Sequence, residues 1–340
     1  MTNKPATIYD VAKKAELSAN TVSRVLRDKN YIAKETRDRV LKAVQELNYS
    51  PNRIASSLRR SKTMQVLLAV PYIWESFNFK LIAAVQDYVQ KCGYSLVLMY
   101  TNTLESMEVQ AISNLECNHA DALILLTVNP TPFIIQRLEK TNKPCVLCSV
   151  ARYEGDKAIG VDYVCTDTEY GIYLSANHLI AQGYSSLFYI GPRRDTIEGY
   201  SRLSGFRAAV REAGLDTINE YIETGGHDES FGYECGKKIA AMKSRPTAVC
   251  AATDLIVLGL YKAFGENCIK VPEEIAVTGM DDIDICIYAQ PKITSVSILQ
   301  DKLGLLAAEM VMDRIASNDR MDYKNITLKP DLIIRESSIR

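Results

Sequence analysis

The chain has 340 residues, 47% of them hydrophobic and 24% charged, a soluble, globular composition long enough for two or three domains. Its formal charge of −1 hides an asymmetry: residues 1–62 hold fourteen Lys and Arg against six Asp and Glu, the remainder twenty-six against thirty-five. A basic end on an acidic body is the footprint of a nucleic-acid reader; no apolar run approaches membrane length, and nine scattered cysteines, an odd number, argue for a reducing cytoplasm rather than a disulfide framework.

Taken in order, Thr7-Ile8-Tyr9-Asp10 has the pattern of a capping box, and Val11, Ala12 and Ala15 follow it at helical spacing. Glu16-Leu17 breaks the run, and Ser18 caps a second helix at once, with Val22, Val25 and Leu26 facing inward. So tight a turn makes the two helices cross steeply, as in a helix-turn-helix. The outer face of the second is Ala19, Asn20, Thr21, Ser23, Arg24 and Arg27, with no acid among them. That face suits a major groove, where Asn pairs two-pronged with adenine and Arg with guanine. The alternative is a solvated face on an ordinary three-helix bundle. A third helix over Glu35 to Leu47 buries Val40, Leu41, Val44 and Leu47. Pro51 then suits a first helical turn, and Ile54, Ala55 and Leu58 share a face flanked by Arg53, Arg59 and Arg60. That segment is too short and too poor in apolar residues to stay helical alone.

Beyond Lys62-Thr63, strands and helices alternate. Apolar runs at 65–70, 94–100, 122–127, 145–148, 186–190, 248–251 and 275–278 read as buried parallel strands, with helices between most of them, the first over 77–92. Some 275 residues of this rhythm predict two lobes rather than one sheet. Cys145 and Cys148 have the spacing of a redox or zinc pair, but residues three apart on a strand point to opposite faces, so both are predicted to be structural.

These pieces together resemble the LacI/GalR family. The resemblance rests on Ala6 to Ala12, Ser18 to Val25, Glu35-Thr36-Arg37, and Leu47 to Asn52 with Ala55 and Leu58. In the larger body it rests on Gly191-Pro192, Arg202 to Phe206, Asp254, Leu258-Gly259, Val277 to Asp282, Thr294 to Val296 and Leu332 to Ser337. It implies an all-α helix-turn-helix headpiece over 1–50, a hinge helix and linker over 51–62, and an α/β periplasmic-binding-protein-like domain of two parallel-sheet lobes over 63–340. By the same resemblance, lobe one is about 63–163 plus 294–323 and lobe two about 164–293 plus 324–340. Implied DNA contacts include Thr7 and Ser18 beside the recognition face. They also include Asn52, Ile54, Ala55 and Arg59 on the hinge, with Leu58 as the residue that levers open the operator's central base step.

An effector would sit beyond the carboxyl ends of the strands. After the first strand come Tyr72, Trp74 and Phe77, suited to stack on a sugar or purine, or else to make a lobe or dimer contact. The resemblance assigns Arg202 and Asp281 to ligand hydroxyls, with an internal salt bridge as the alternative, and places Phe231 over the ligand. Where sugar-binding members carry Asp after the fourth strand and Asn before Asp254, this chain has Ser149 and Thr253; Ile298 replaces a frequent Gln. These departures leave sugar phosphates, nucleobases and amino-acid-like effectors open beside carbohydrates. There is no phosphate-loop signature, no nucleophile motif and no metal spacing among His119, His178 and His227, so neither an enzyme, a cofactor nor a metal is expected. The expectation is a cytoplasmic, homodimeric, operator-binding repressor of carbohydrate-utilisation genes that responds to a small molecule. The rivals are a stand-alone solute-binding protein and an architectural DNA-bending protein.

Overall fold

The computed structural model describes residues 6–26, 32–50, 62–72, 76–149, 159–215, 221–317 and 322–339, with the backbone alone at 76 and 77. The chain divides into two compact units, Met1–Thr63 and Met64–Arg340. Arg27, the hinge positions Asn52, Ile54, Ala55, Leu58 and Arg59, and Trp74 lie outside the described residues, as does the side chain of Phe77.

In the first unit, α1 (Ile8–Ala15), α2 (Ala19–Val25) and α3 (Lys34–Glu46) close on one small core. The capping box forms: the Thr7 amide donates to Asp10 Oδ2 at 2.8 Å and the Asp10 amide to Thr7 Oγ1 at 3.4 Å. Ser18 caps α2, its Oγ accepting from the Thr21 amide at 3.1 Å. Val11, Ala12, Ala15, Val22, Val25, Val40 and Ala43 form the core. Leu41 corrects the expected stripe: it is half exposed, and Ala43, a third of a turn round from Val44, fills the inner face instead.

The second unit holds two six-stranded sheets. The first contains β1 (Gln65–Val70), β2 (Ser95–Tyr100), β3 (Ala122–Thr127), β4 (Cys145–Ser149), β5 (Asp162–Thr166) and β11 (Asn325–Leu328), in the order β11-β5-β4-β3-β1-β2. Every pairing in it is parallel. The second contains β6 (Leu187–Gly191), β7 (Ile222–Thr224), β8 (Ala248–Ala251), β9 (Ala276–Met280), β10 (Thr294–Ser297) and β12 (Asp331–Ile333), in the order β12-β10-β9-β8-β6-β7. Only β12 runs antiparallel to its neighbour.

Helices cover both faces of each sheet, which is why the central strands read as unbroken apolar runs. On the first sheet, alternate residues such as Val66, Leu68 and Val70 pack under α4 (Ser76–Lys91) and α11 (Gln300–Ala316). The intervening Leu67 and Ala69 pack under α5 (Glu105–Glu116) and α6 (Pro132–Lys140). On the second, α7 (Thr168–Ala181) and α8 (Ile197–Glu212) take one face, α9 (Glu229–Ala241) and α10 (Asp254–Glu266) the other. Cys145 and Cys148 fall in different core clusters on opposite faces of the first sheet. Burial pushes the Cys145 thiol up to about 12 and that of Cys148 higher still, so neither is a reactive thiolate.

The chain crosses between the sheets after β5, after β10 and after β11. The boundaries anticipated at 163, 293 and 323 are corrected accordingly, because each strand completes its pairing before the chain leaves the sheet. The crossings are tied together: Thr166 Oγ1 donates to the Ile298 carbonyl at 2.8 Å and the Asp167 amide to the Leu328 carbonyl at 2.9 Å.

Candidate functional site

Two surfaces carry chemistry. The first is the outer side of α2. Val22 and Val25 turn inward, which leaves Asn20 and Arg24 exposed and Ala19, Thr21 and Ser23 half-buried around them. This side is small, polar and basic, with Thr7 Oγ1 engaged by Asp10 Oδ2 at 2.7 Å and Ser18 Oγ by Thr21 Oγ1 at 2.8 Å. Both hydroxyls therefore act first as helix caps, and the exposed polar side chains left along the described outer face of α2 are Asn20 and Arg24.

The second is a cleft of about 330 Å3 where the carboxyl edges of the two sheets face one another. Tyr72 follows β1, Thr103 lies beyond β2, and Leu126 with Val128 and Asn129 ends β3. From the other sheet, Pro192 and Arg193 follow β6, Gly225 to His227 follow β7, Thr253 follows β8, and Asp281 with Ile283 follows β9. Helix α8 adds Glu198 and Arg202, one turn apart on its inner face. Thr196 caps that helix through the Gly199 amide at 3.1 Å and donates to the Arg193 carbonyl at 2.8 Å. A Cβ at Gly199 would overlap the Arg193 backbone, so a glycine is needed for the loop to lie against the first turn.

Arg202 is 2% exposed. One of its terminal nitrogens donates to the Ala252 carbonyl at 2.6 Å; the other meets Glu198 Oε1 at 2.7 Å and stands 3.9 Å from Asp281 Oδ1. The expected Arg202–Asp281 juxtaposition is present, but the closer carboxylate is Glu198. Asp281 sits at a φ of 112°, a left-handed backbone unusual for a residue with a side chain. The turn is pinned by the Asp281 amide on the Val296 carbonyl at 2.9 Å and the Asp282 amide on Ser295 Oγ at 3.0 Å. Behind it, fully buried Asp254 accepts from Ser295 Oγ at 2.6 Å and from the Ile283 amide at 3.0 Å. Burial pushes this carboxyl up to about 7 against the pull of its donors.

The remaining expected ligand contacts divide. Tyr72 lines the cleft. Thr253 does too, but its hydroxyl caps α10 and donates to the His227 carbonyl at 2.7 Å, so it positions His227. Ser149 is fully buried at the end of β4, away from the cleft wall. Phe231, expected over the ligand, does not line the cleft: its ring packs against Gly226, where an added Cβ would collide with it, and lies partly buried against the core of the second sheet. The ring that reaches the cleft is His227, 5.5 Å from Tyr72 across the two lobes. Sequence reading missed Glu198, Asn129, Thr103 and His227. Three of them follow strands and were open to the rule that found Tyr72; Glu198 was signalled by its four-residue spacing to Arg202.

Among the described residues no group of metal-ligating side chains gathers, and no helix is long and apolar enough to cross a membrane.

Residues 7–52 match the family model described as bacterial regulatory proteins, lacI family, and residues 176–338 the periplasmic binding protein-like domain; neither is a catalytic family. The chain is 31% identical over 335 residues to the HTH-type transcriptional repressor PurR of Pasteurella multocida, covering 98% of each. The protein of the same description from Vibrio parahaemolyticus serotype O3:K6 is 29% identical over 332 residues, again 98% of each. Among solved structures, a transcriptional regulator CelR–cellobiose complex superposes with a TM-score of 0.73 at 26% identity, over 98% of this chain and 99% of that one. The lac repressor dimer bound to operator and the anti-inducer ONPF gives 0.84 at 23% over 99% and 100%, a likeness of fold. The chain belongs to the lacI family of bacterial regulatory proteins and is a DNA-binding transcriptional repressor.

Proposed function

We propose that the protein represses carbohydrate-utilisation genes from a palindromic operator, as a homodimer whose two headpieces each read one half-site. The observation that carries the reading is the pairing of an acid-free α2 face, Asn20 and Arg24 at its exposed centre, with a cleft whose polar groups converge among apolar ones. A single three-helix headpiece buries too little surface for selective affinity, so two copies are needed.

A second copy has a surface to meet. Edge strand β2 exposes Val97 and Leu98, α4 exposes Phe79, and the turn Asp284–Ile287 with its successor exposes Ile285, Ile287 and Tyr288. Lys80, next to Phe79, reaches Asp284 at 2.9 Å, which brings Phe79 close to the apolar residues of that turn. Such a patch suits an interface between copies. Thr103, Asn129 and the Arg202–Glu198–Asp281 group offer donors and acceptors to hydroxyls, Tyr72 a face for a sugar ring, and the 26% identical regulator was solved with cellobiose. The hinge positions 51–62, with Leu58 as the minor-groove wedge, complete the DNA contacts in this reading.

The test is electrophoretic mobility shift with operators selected from a random duplex pool, across a salt series, with and without a sugar panel. Selected sites with two-fold symmetry, an affinity that falls steeply with salt, and a shift released or strengthened by one sugar are expected. Selection of no symmetric site, or binding indifferent to every sugar, overturns the reading.

A further inference from the structure

We infer that Asp254 is a positioning residue of the effector site: it holds the turn 281–283 in the backbone conformation that aims the Asp281 side chain into the cleft. The inference rests on reading the cleft as the effector site.

Asp281 and Asp282 have φ of 112° and 51°, two consecutive residues with side chains in the left-handed region. Such a backbone persists only where its surroundings fix it. Here they do. The Asp281 amide donates to the Val296 carbonyl at 2.9 Å, and its carbonyl accepts from the side-chain amide of Gln300. The Asp282 amide donates to Ser295 Oγ at 3.0 Å, and that hydroxyl donates in turn to Asp254 Oδ1 at 2.6 Å. The Ile283 amide donates to Asp254 Oδ2 at 3.0 Å. One carboxylate therefore holds both amides that follow Asp281, one directly and one through a hydroxyl. A carboxylate suits the place because it accepts at both oxygens, whereas a carboxamide accepts at one.

The surroundings are shaped to this arrangement. Asp254 is fully buried in the first turn of α10, and Gly279 on β9 leaves the room that its carboxylate occupies, since a Cβ there would collide with Oδ1. Gln300, 3% exposed, opens α11 just past the crossing after β10, so the turn is tied to that crossing as well. Stability does not account for the acid. Burial pushes it up to about 7 and the nearby Asp282 carboxylate adds to the rise, while the bonds from Ser295, Ile283 and Cys286 oppose it. Above that pH the folded chain carries a charge that its surroundings disfavour. What the carboxylate secures is direction: Asp281 lines the cleft, with Oδ1 3.9 Å from a terminal nitrogen of Arg202.

Asp254→Asn keeps the shape and leaves one accepting oxygen for two donors. Isothermal titration of the full-length protein at pH 8 takes cellobiose, D-glucose and D-ribose as probes, with melting temperatures recorded in parallel. Asp254→Asn is expected to weaken the tightest-binding sugar about tenfold, while its melting temperature stays at or above that of the wild type. Adding Asp282→Gly, which takes the left-handed conformation freely, is expected to recover at least about threefold of that loss. Gly279→Ala displaces the carboxylate from the other side; it is expected to weaken the same sugar and serves if Asp254→Asn fails to fold. An affinity within about twofold of the wild type in either variant overturns the inference. So does a loss that tracks a falling melting temperature and that Asp282→Gly leaves untouched, because Asp254 would then be supporting the core. No heat from any sugar with the wild type overturns the sugar reading instead. Hydrogen exchange then tests the turn: the Asp282 and Ile283 amides are expected to exchange faster in Asp254→Asn, and equal rates overturn the inference.

Discussion

Glu108 offers a stringent check on the energetics of the first lobe. It lies in the first turn of α5, 4% exposed, against the end of β3. Desolvation pushes its carboxyl up to about 7, the Thr127 hydroxyl bond works in the other direction, and neighbouring Glu105 adds to the rise. The ordinary value is 4.5. Below it both folded and unfolded chains carry the proton, and the group makes no difference. Between 4.5 and about 7 the unfolded chain has released a proton that the folded one keeps, so stability falls as pH rises. At about 1.4 kcal/mol per pH unit, the interval costs about 3 kcal/mol by neutral pH. Glu108→Gln keeps the shape and removes the charge. Denaturant unfolding at pH 5 and pH 8 should show the wild type losing stability between the two, with the variant losing about 2–3 kcal/mol less. Parallel losses in the two proteins would refute the argument, because they would put Glu108 in a wetter or better-paired site than this one.

Asp162, 1% exposed, takes two bonds from Arg314, Nε to Oδ2 at 2.6 Å and a terminal nitrogen to Oδ1 at 2.9 Å, so Asp162→Ala takes the carboxylate from a largely covered guanidinium. It should cost about 3–5 kcal/mol in denaturant unfolding; a cost below 1 kcal/mol would show the pair to be solvated. Arg24→Ala should weaken the selected operator by about 1–3 kcal/mol and relax preference at one base pair, whereas equal weakening on all duplexes would make Arg24 a phosphate contact. Thiol labelling of the native protein should modify Cys92, Cys117 and Cys268 and spare the six buried cysteines, counted by mass spectrometry. Rapid labelling of Cys145 or Cys148 would contradict their packing between sheet and helices.

Where one physical cause dominates a segment, the sequence revealed it. The strands buried on both faces, β1, β3 and β8, carry an unbroken apolar run and were bounded to the residue. Thr7 and Ser18 announced their helices because a cap needs only a hydroxyl at one position. Segments whose pairing is settled elsewhere did not announce themselves. Strand β10 is Thr-Ser-Val-Ser, polar by composition, yet Thr294 and Ser295 are fully buried because Ser337, Ser338 and Asp254 satisfy them. Edge strands β11 and β12 are short and exposed on alternate residues, so they lack the apolar signal of the centre. The same distinction separates the cleft residues. Arg202 and Asp281 were legible through the family resemblance, while His227 lines the cleft in place of Phe231, whose ring packs against Gly226 where no side chain stands in its way.

The arrangement of the three crossings bears on what a ligand in the cleft would have to do to change the relation of the two lobes. Among the described residues the sheets share no strand pair, and the crossings after β5, β10 and β11 are held together by Thr166 and Asp167. A rotation about that knot leaves each core intact, since both are packed by helices of their own lobe. Among the contacts between the lobes that it would make and break are Tyr72 with His227, Asn129 with the Ile197 amide, and Lys80 with Asp284. Each is weak, about 0.5–1.5 kcal/mol for the hydrogen bond and the ring contact and less than about 1 kcal/mol for the exposed ion pair. A ligand that prefers one angle a hundredfold supplies about 2.7 kcal/mol, comparable with all three together. A ligand bridging Tyr72 and Asn129 to Glu198 and Asp281 can therefore reset the angle without unfolding anything, and its free energy is spent on the lobes' relation rather than on their cores.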